Sequence, residues 1–214
     1  MNFLSITPQE LLFSFPQEFL MGIGLLGLLV ICPLSNITRV HIFTIIFSLS
    51  ILCIIFGFFS CNTYQPLFLS STGTNFSKSL VCSLFTLVLL LDNICVKSGK
   101  NTLLLMGFSL FSSLLVLSAN DWFFLFLSLE LLTLTSYCLI ALPRTQRSLE
   151  AVLKYFAAGA ISTCFLLFGL FLLFANKDTL SMSEFPSYYA AARSFSTFAL
   201  SAILLKTGAA PFHY

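Results

Sequence analysis

Residues 122–142 read WFFLFLSLELLTLTSYCLIAL, an apolar run in which Glu130 is the one charged residue. An α-helix rises about 1.5 Å per residue, so a run of this length crosses a bilayer core that is about 30 Å thick. A strand of a membrane barrel is about ten residues long and alternates apolar with polar side chains, a pattern that this run lacks. The stretch therefore predicts a membrane-spanning helix.

The rest of the chain has the same character. Of its 214 residues, 58% are apolar and 8% are charged, whereas soluble domains average about 45–50% and about 25%. So few charges cannot coat a soluble domain, and intrinsic disorder needs the opposite composition. A net charge of +2 without a basic face predicts lipids as neighbours and no nucleic acid as a partner. The composition predicts an all-α membrane protein.

Polar residues, Pro and Gly divide the chain into about seven apolar segments, each predicted to be a transmembrane helix. They span approximately residues 16–31, 40–59, 79–96, 103–118, 122–142, 148–174 and 195–211, with a polar loop at 61–78. We place the first four helices in a domain of residues 1–115. The last three, which carry the informative charges, form a second domain of residues 116–214.

The sequence shows no sign of a cofactor or metal site. Its seven cysteines include no C-x-x-C pair and no Cys/His cluster, so an iron–sulfur or zinc site has no local support. The glycines at 22, 24 and 27 match the dinucleotide fingerprint G-x-G-x-x-G. They lie inside an apolar helix, where small residues serve helix packing instead.

Two buried charges of opposite sign are the most informative feature. Glu130 lies about 12 Å past Trp122, and Lys206 lies about 16 Å past Phe195. A charge at such depth costs several kcal/mol on an isolated helix, so it normally faces a partner or a hydrated cavity. We therefore predict that Glu130 and Lys206 face each other. The pair either fixes helix register alone or forms a proton switch, since a buried lysine readily loses its proton.

Lys154 has two possible roles. It lies four residues after Glu150, which suits an i,i+4 ion pair with the lysine reaching the membrane interface. The alternative makes Lys154 the next proton relay beside Glu130.

The last helix contains residues that interrupt helices. Pro211 lacks an amide donor and frees carbonyls near Thr207, while Gly208 loosens the same turn. Broken membrane helices line cavities and mark ion sites in transporters. His213 follows the break as a weaker candidate for the proton path, with hydrogen bonding to a freed carbonyl as the alternative.

Six motifs between residues 115 and 214 resemble the NADH dehydrogenase subunit 2 family, the antiporter-like, proton-pumping membrane subunits of respiratory complex I. In order they are Ser118-Ala-Asn-Asp-Trp, Leu127-Ser-Leu-Glu-Leu, Ser148-Leu-Glu-Ala-Val-Leu-Lys-Tyr-Phe, Gly159-Ala-Ile-Ser-Thr, Leu166-Leu-Phe-Gly169 and Lys206-Thr-Gly-Ala-Ala-Pro-Phe-His213. Before residue 115, only apolar helices and the start Phe15-Pro-Gln-Glu-Phe agree.

The resemblance implies that Glu130, Lys154 and Lys206 belong to a proton channel. It implies no redox site in this chain: NADH, FMN, iron–sulfur clusters and ubiquinone would bind partner subunits, and the chain would serve the NADH:ubiquinone reductase as a subunit. Its expected partners are the other membrane-arm subunits, in the mitochondrial inner membrane or, alternatively, the bacterial plasma membrane. A subunit of a multi-subunit cation/proton antiporter is the other function, and a purely structural role is the third.

The family fold has about 14 helices with two inverted repeats, whereas this chain stops at Tyr214. The resemblance therefore implies the N-terminal half of that fold. Either a second chain supplies the C-terminal half, or this sequence is a fragment.

Overall fold

The structure, a computed structural model, describes residues 63–64, 69–92, 99–176, 182 and 189–208. The chain divides into two compact units, Met1–Ser118 and Ala119–Tyr214. The predicted helices at 16–31 and 40–59 lie outside the described residues, as do Pro211 and His213.

In the first unit, a short hairpin precedes two helices. Strand β1 (Thr63–Tyr64) pairs antiparallel with β2 (Leu69–Ser70). Helix α1 (Thr72–Leu91) and helix α2 (Lys100–Ser118) follow. Their shared core includes Cys82 of α1, which packs with buried leucines of α2.

Helix α1 begins earlier than the sequence analysis predicts. The Ser71 hydroxyl accepts a hydrogen bond from the Thr74 amide at 3.2 Å, and the Thr74 hydroxyl accepts one from the Ser71 amide at 2.8 Å. This reciprocal capping satisfies amides that otherwise have no partner in the first turn. The polar residues that follow Ser71 are therefore helical, and the prediction that they form a loop is wrong. Lys78 lies inside the helix with 1% of its surface exposed.

The second unit contains three long helices, α3 (Trp122–Ala141), α4 (Gln146–Asn176, 31 residues) and α5 (Tyr189–Lys206). The first two agree closely with the predicted spans. The last begins before the predicted Phe195 and ends before Pro211. Its C-terminus is set by Gly208, whose φ of 62° is a left-handed conformation that glycine adopts without strain.

A buried apolar cluster joins the three helices of the second unit. Its members are Phe126, Leu166, Leu170, Leu173, Phe195, Ala199 and Ala202, with Trp122 packed against them. The Trp122 ring meets Phe195 edge-on, with ring centroids 4.7 Å apart. This contact brings the start of α3 beside the first half of α5.

Four of the five described helices, α1 to α4, are long and apolar enough to cross a membrane. All the long elements of the described residues are helices, and each strand has only two residues. The predicted all-α, multi-pass membrane fold is therefore confirmed.

Helices α4 and α5 approach closely at Gly169. A methyl group added there would lie 3.1 Å from the Phe198 Cβ and 3.6 Å from the Phe195 carbonyl oxygen. Because overpacking costs about 1–3 kcal/mol, we expect Gly169→Leu to lower the thermal denaturation temperature of the purified protein. Ala157→Leu, at an exposed position of α4, is the control. An equal loss in both variants would contradict this close packing.

Candidate functional site

The ammonium of Lys206 and the carboxylate of Glu130 form an ion pair between α5 and α3. The Lys206 Nζ donates to the Glu130 Oε1 at 3.0 Å. The two side chains are 15% and 29% exposed, respectively. The prediction that these residues face each other is confirmed, so each charge compensates the other where water is scarce.

The start of α3 determines where Glu130 lies. The Asp121 carboxylate accepts hydrogen bonds from the amides of Phe123 at 2.8 Å and Phe124 at 3.2 Å, and these bonds fix the first turn of α3. Further along, the Thr133 hydroxyl donates to the Glu130 carbonyl at 2.9 Å. Glu130 is thus held about two turns inside a capped helix.

Lys206 lies in the last turn of α5, where Thr207 and Gly208 donate hydrogen bonds to the last carbonyls of the helix. The Thr207 hydroxyl donates to Ile203 at 3.0 Å and to Leu204 at 3.2 Å. The amides of Thr207 and Gly208 donate to Ile203 at 2.9 Å and to Leu205 at 3.2 Å. A satisfied helix end is tolerated in a membrane protein, and its negative dipole end favours a cation. The described helix ends at Lys206, followed by Gly208 with a φ of 62°. The predicted break at Pro211 lies outside the described residues and stays a prediction.

Lys154 pairs within its own helix. Its Nζ lies 2.7 Å from the Glu150 Oε1, and the two side chains are 68% and 67% exposed. Of the two alternatives, the i,i+4 pair is therefore confirmed as the contact that Lys154 makes. Its role as a proton relay remains a prediction, as does any role of His213.

A cavity of about 560 Å³ nevertheless connects the two lysines within the second unit. Its lining includes Arg147, Glu150, Lys154, Tyr155, Lys206 and Thr207. Polar groups of this kind can hold water, which needs two to four hydrogen-bonding partners. Lys154 and Lys206 therefore border one space, which alanine and leucine side chains line as well.

Among the buried polar residues, Lys78 and Ser162 differ most from what the sequence predicts. Lys78 was assigned to a loop, although Ser71 and Thr74 three residues later already form a helix-start signal. The Ser162 hydroxyl donates to the carbonyl of Ala202, 2.8 Å away in the neighbouring helix. No sequence signal separates this serine from those that bond within their own helix, such as Ser128.

The second unit is similar to membrane subunits of known protein complexes. Residues 119–214 match the family model described as NADH:quinone oxidoreductase/Mrp antiporter, TM. Subunit N of the NADH-quinone oxidoreductase of Paraburkholderia phymatum is 36% identical over 121 residues, which are 53% of this chain and 25% of that protein. Subunit N from Gemmatimonas aurantiaca is 39% identical over 103 residues, covering 44% and 20%.

Two solved structures share the fold. A chain of respiratory complex I from Thermus thermophilus superposes with a TM-score of 0.79 at 21% identity, covering 92% of this chain and 45% of that one. A chain of the membrane-bound sulfane sulfur reductase, an archaeal respiratory membrane complex, gives 0.76 at 18% identity with the same coverage. Among the sequence relatives, the match to subunit N spans about a quarter of the relatives' own length.

The predicted resemblance to the antiporter-like membrane subunits of complex I is confirmed.

Proposed function

We propose that this chain is a proton-translocating membrane-arm subunit of an NADH:quinone oxidoreductase. The observation that supports proton translocation is the Glu130–Lys206 ion pair, in which Lys206 lies at a helix end and borders a cavity; the named relatives support the oxidoreductase. With Glu130 in contact, the Lys206 ammonium keeps its proton. When the carboxylate moves away, the uncompensated ammonium releases that proton into the cavity, and Lys206 regains a proton from the opposite side.

In this proposal the redox chemistry belongs to partner subunits. NADH, FMN, iron–sulfur clusters and ubiquinone bind there, and electron transfer drives the movement of Glu130 from a distance. The other membrane-arm subunits are the immediate partners, and a second chain supplies the C-terminal half of the fold. The names of the bacterial relatives support the complex. The membrane is the mitochondrial inner membrane or the bacterial plasma membrane, and the bacterial relatives fit the latter.

A subunit of a cation/proton antiporter is the second candidate, because the matching family model also covers Mrp antiporters. Both functions use a buried lysine and glutamate, so the ion pair does not distinguish them. The relatives named as oxidoreductase subunits favour the first function.

Purification of the tagged chain from its native membrane separates the two functions. We expect flavin-containing and quinone-reducing subunits to copurify, together with NADH:quinone reductase activity that drives proton uptake or release across vesicles. Copurification with antiporter subunits alone, together with sodium-dependent proton exchange without NADH, would establish the second function instead.

A further inference from the structure

Ser162 joins α4 to the turn of α5 that carries Lys206. The residue is completely buried, and its hydroxyl donates to the Ala202 carbonyl at 2.8 Å. Thr163, the next residue, instead bonds to Ala160 of its own helix at 2.9 Å. The two hydroxyls differ in what they connect, since only that of Ser162 reaches the neighbouring helix.

The acceptor of this bond is well placed to affect Lys206. In an α-helix the carbonyl of residue 202 also accepts the amide of residue 206, so the two residues share one hydrogen-bonded turn. The carbonyls of the next three residues are held by Thr207 and Gly208. Ser162 is therefore the contribution of α4 to a turn that α5 otherwise stabilises by itself.

The apolar packing around this hydrogen bond holds Ser162 and Ala202 in place. Ala202 is 1% exposed and belongs to the apolar cluster of the second unit. One turn beyond Ala202, Lys206 extends towards Glu130 on α3. A shift of the Ala202 carbonyl by rotation of α5 would carry the Lys206 side chain around the helix axis and away from Glu130.

We propose that Ser162 is a positioning residue that holds the last turn of α5 so that Lys206 meets Glu130. This inference rests on the proposed function for its effect on proton transfer, although the coupling between Ser162 and Lys206 can be measured without it.

The test uses the intact complex with Ser162→Ala, Lys206→Met and the double variant, and with Thr163→Ala as the matched control. The first readout is the Lys206-dependent part of the proton flux, defined as the flux lost in Lys206→Met at equal NADH oxidation. Hydrogen bonds between membrane helices average about 0.6 kcal/mol, which corresponds to about a threefold change. We expect Ser162→Ala to lower this flux about threefold. In the double variant, Ser162→Ala should cause no loss beyond that of Lys206→Met. The control Thr163→Ala should leave the flux unchanged.

The second readout is the thermal denaturation temperature of the unsubstituted protein and of the same four variants, which does not depend on pumping. If Ser162 acts on Lys206, the effects of Ser162→Ala and Lys206→Met are non-additive. Additive effects overturn the inference, and so does a flux in Ser162→Ala equal to that of the control. If Lys206→Met leaves the flux unchanged, the proposed proton-transfer role of Lys206 fails, and the denaturation cycle alone decides whether Ser162 positions that residue.

Discussion

We expect Lys206→Met to remove most of the proposed proton translocation through this chain while the complex remains assembled. Methionine has a similar length, carries no exchangeable proton and places no like charge beside another ammonium. A positioned proton-transfer group contributes about 10²–10⁴-fold to the rate of its step. We therefore expect the flux through this subunit to fall at least about 100-fold. The number of protons moved per NADH oxidised in vesicles measures the loss.

Arg193→Met provides the control for removing a cation from the same helix. Arg193 is an exposed residue near the start of α5, so we expect its loss to leave the ratio of protons to NADH unchanged. An assembled Lys206→Met complex with an unchanged ratio would instead support the structural role, in which the ion pair only fixes helix register.

We expect Glu130→Lys to prevent assembly, and the further change Lys206→Glu to restore assembly without restoring translocation. The single change places a second ammonium where the Glu130 carboxylate now lies 3.0 Å from Lys206. Breaking a fully buried ion pair costs about 3–5 kcal/mol, and this part-buried pair costs less; the repulsion between two like charges adds to that cost and distinguishes Glu130→Lys from Lys206→Met. The exchanged pair recovers the attraction. It also places the lysine in the middle of α3, away from the helix end that borders the cavity. Native gels report assembly, and vesicle assays report translocation.

The exposed pair of Glu150 and Lys154 supplies the comparison. Its two side chains are 67% and 68% exposed, and exposed pairs contribute little because water screens them. We expect Glu150→Lys, alone or combined with Lys154→Glu, to leave assembly intact. Full translocation in the double variant Glu130→Lys with Lys206→Glu would contradict the requirement for a lysine at position 206.

The sequence predicted the membrane fold and the ion pair because both depend on strong local signals. A charge in an apolar run is conspicuous, and two opposite charges at similar depth suggest each other as partners. Composition and segment length likewise predicted the helices α3 and α4 almost to their ends. The sequence alone thus predicts Glu130 and Lys206 as partners.

The ends of helices and the contacts between them could not be predicted, because they depend on which of several local interactions is stronger. Gly208 ended α5 before Pro211 because its left-handed conformation closes the turn first. Lys78 appeared to belong to a polar loop, yet the capping of Ser71 makes that stretch helical. The contact of Ser162 with Ala202 depends on how two helices are rotated against each other, which packing at Gly169 and the phenylalanines decides.

The length of α4 gives Lys154 a distinct place relative to the bilayer. Its 31 residues correspond to about 46 Å, whereas the hydrocarbon core measures about 30 Å. A helix this much longer than the core tilts or projects into the headgroup layer. The end that carries Glu150 and Lys154 has the polar character suited to that layer, so we expect Lys154 to lie near the membrane surface and not in the hydrocarbon core.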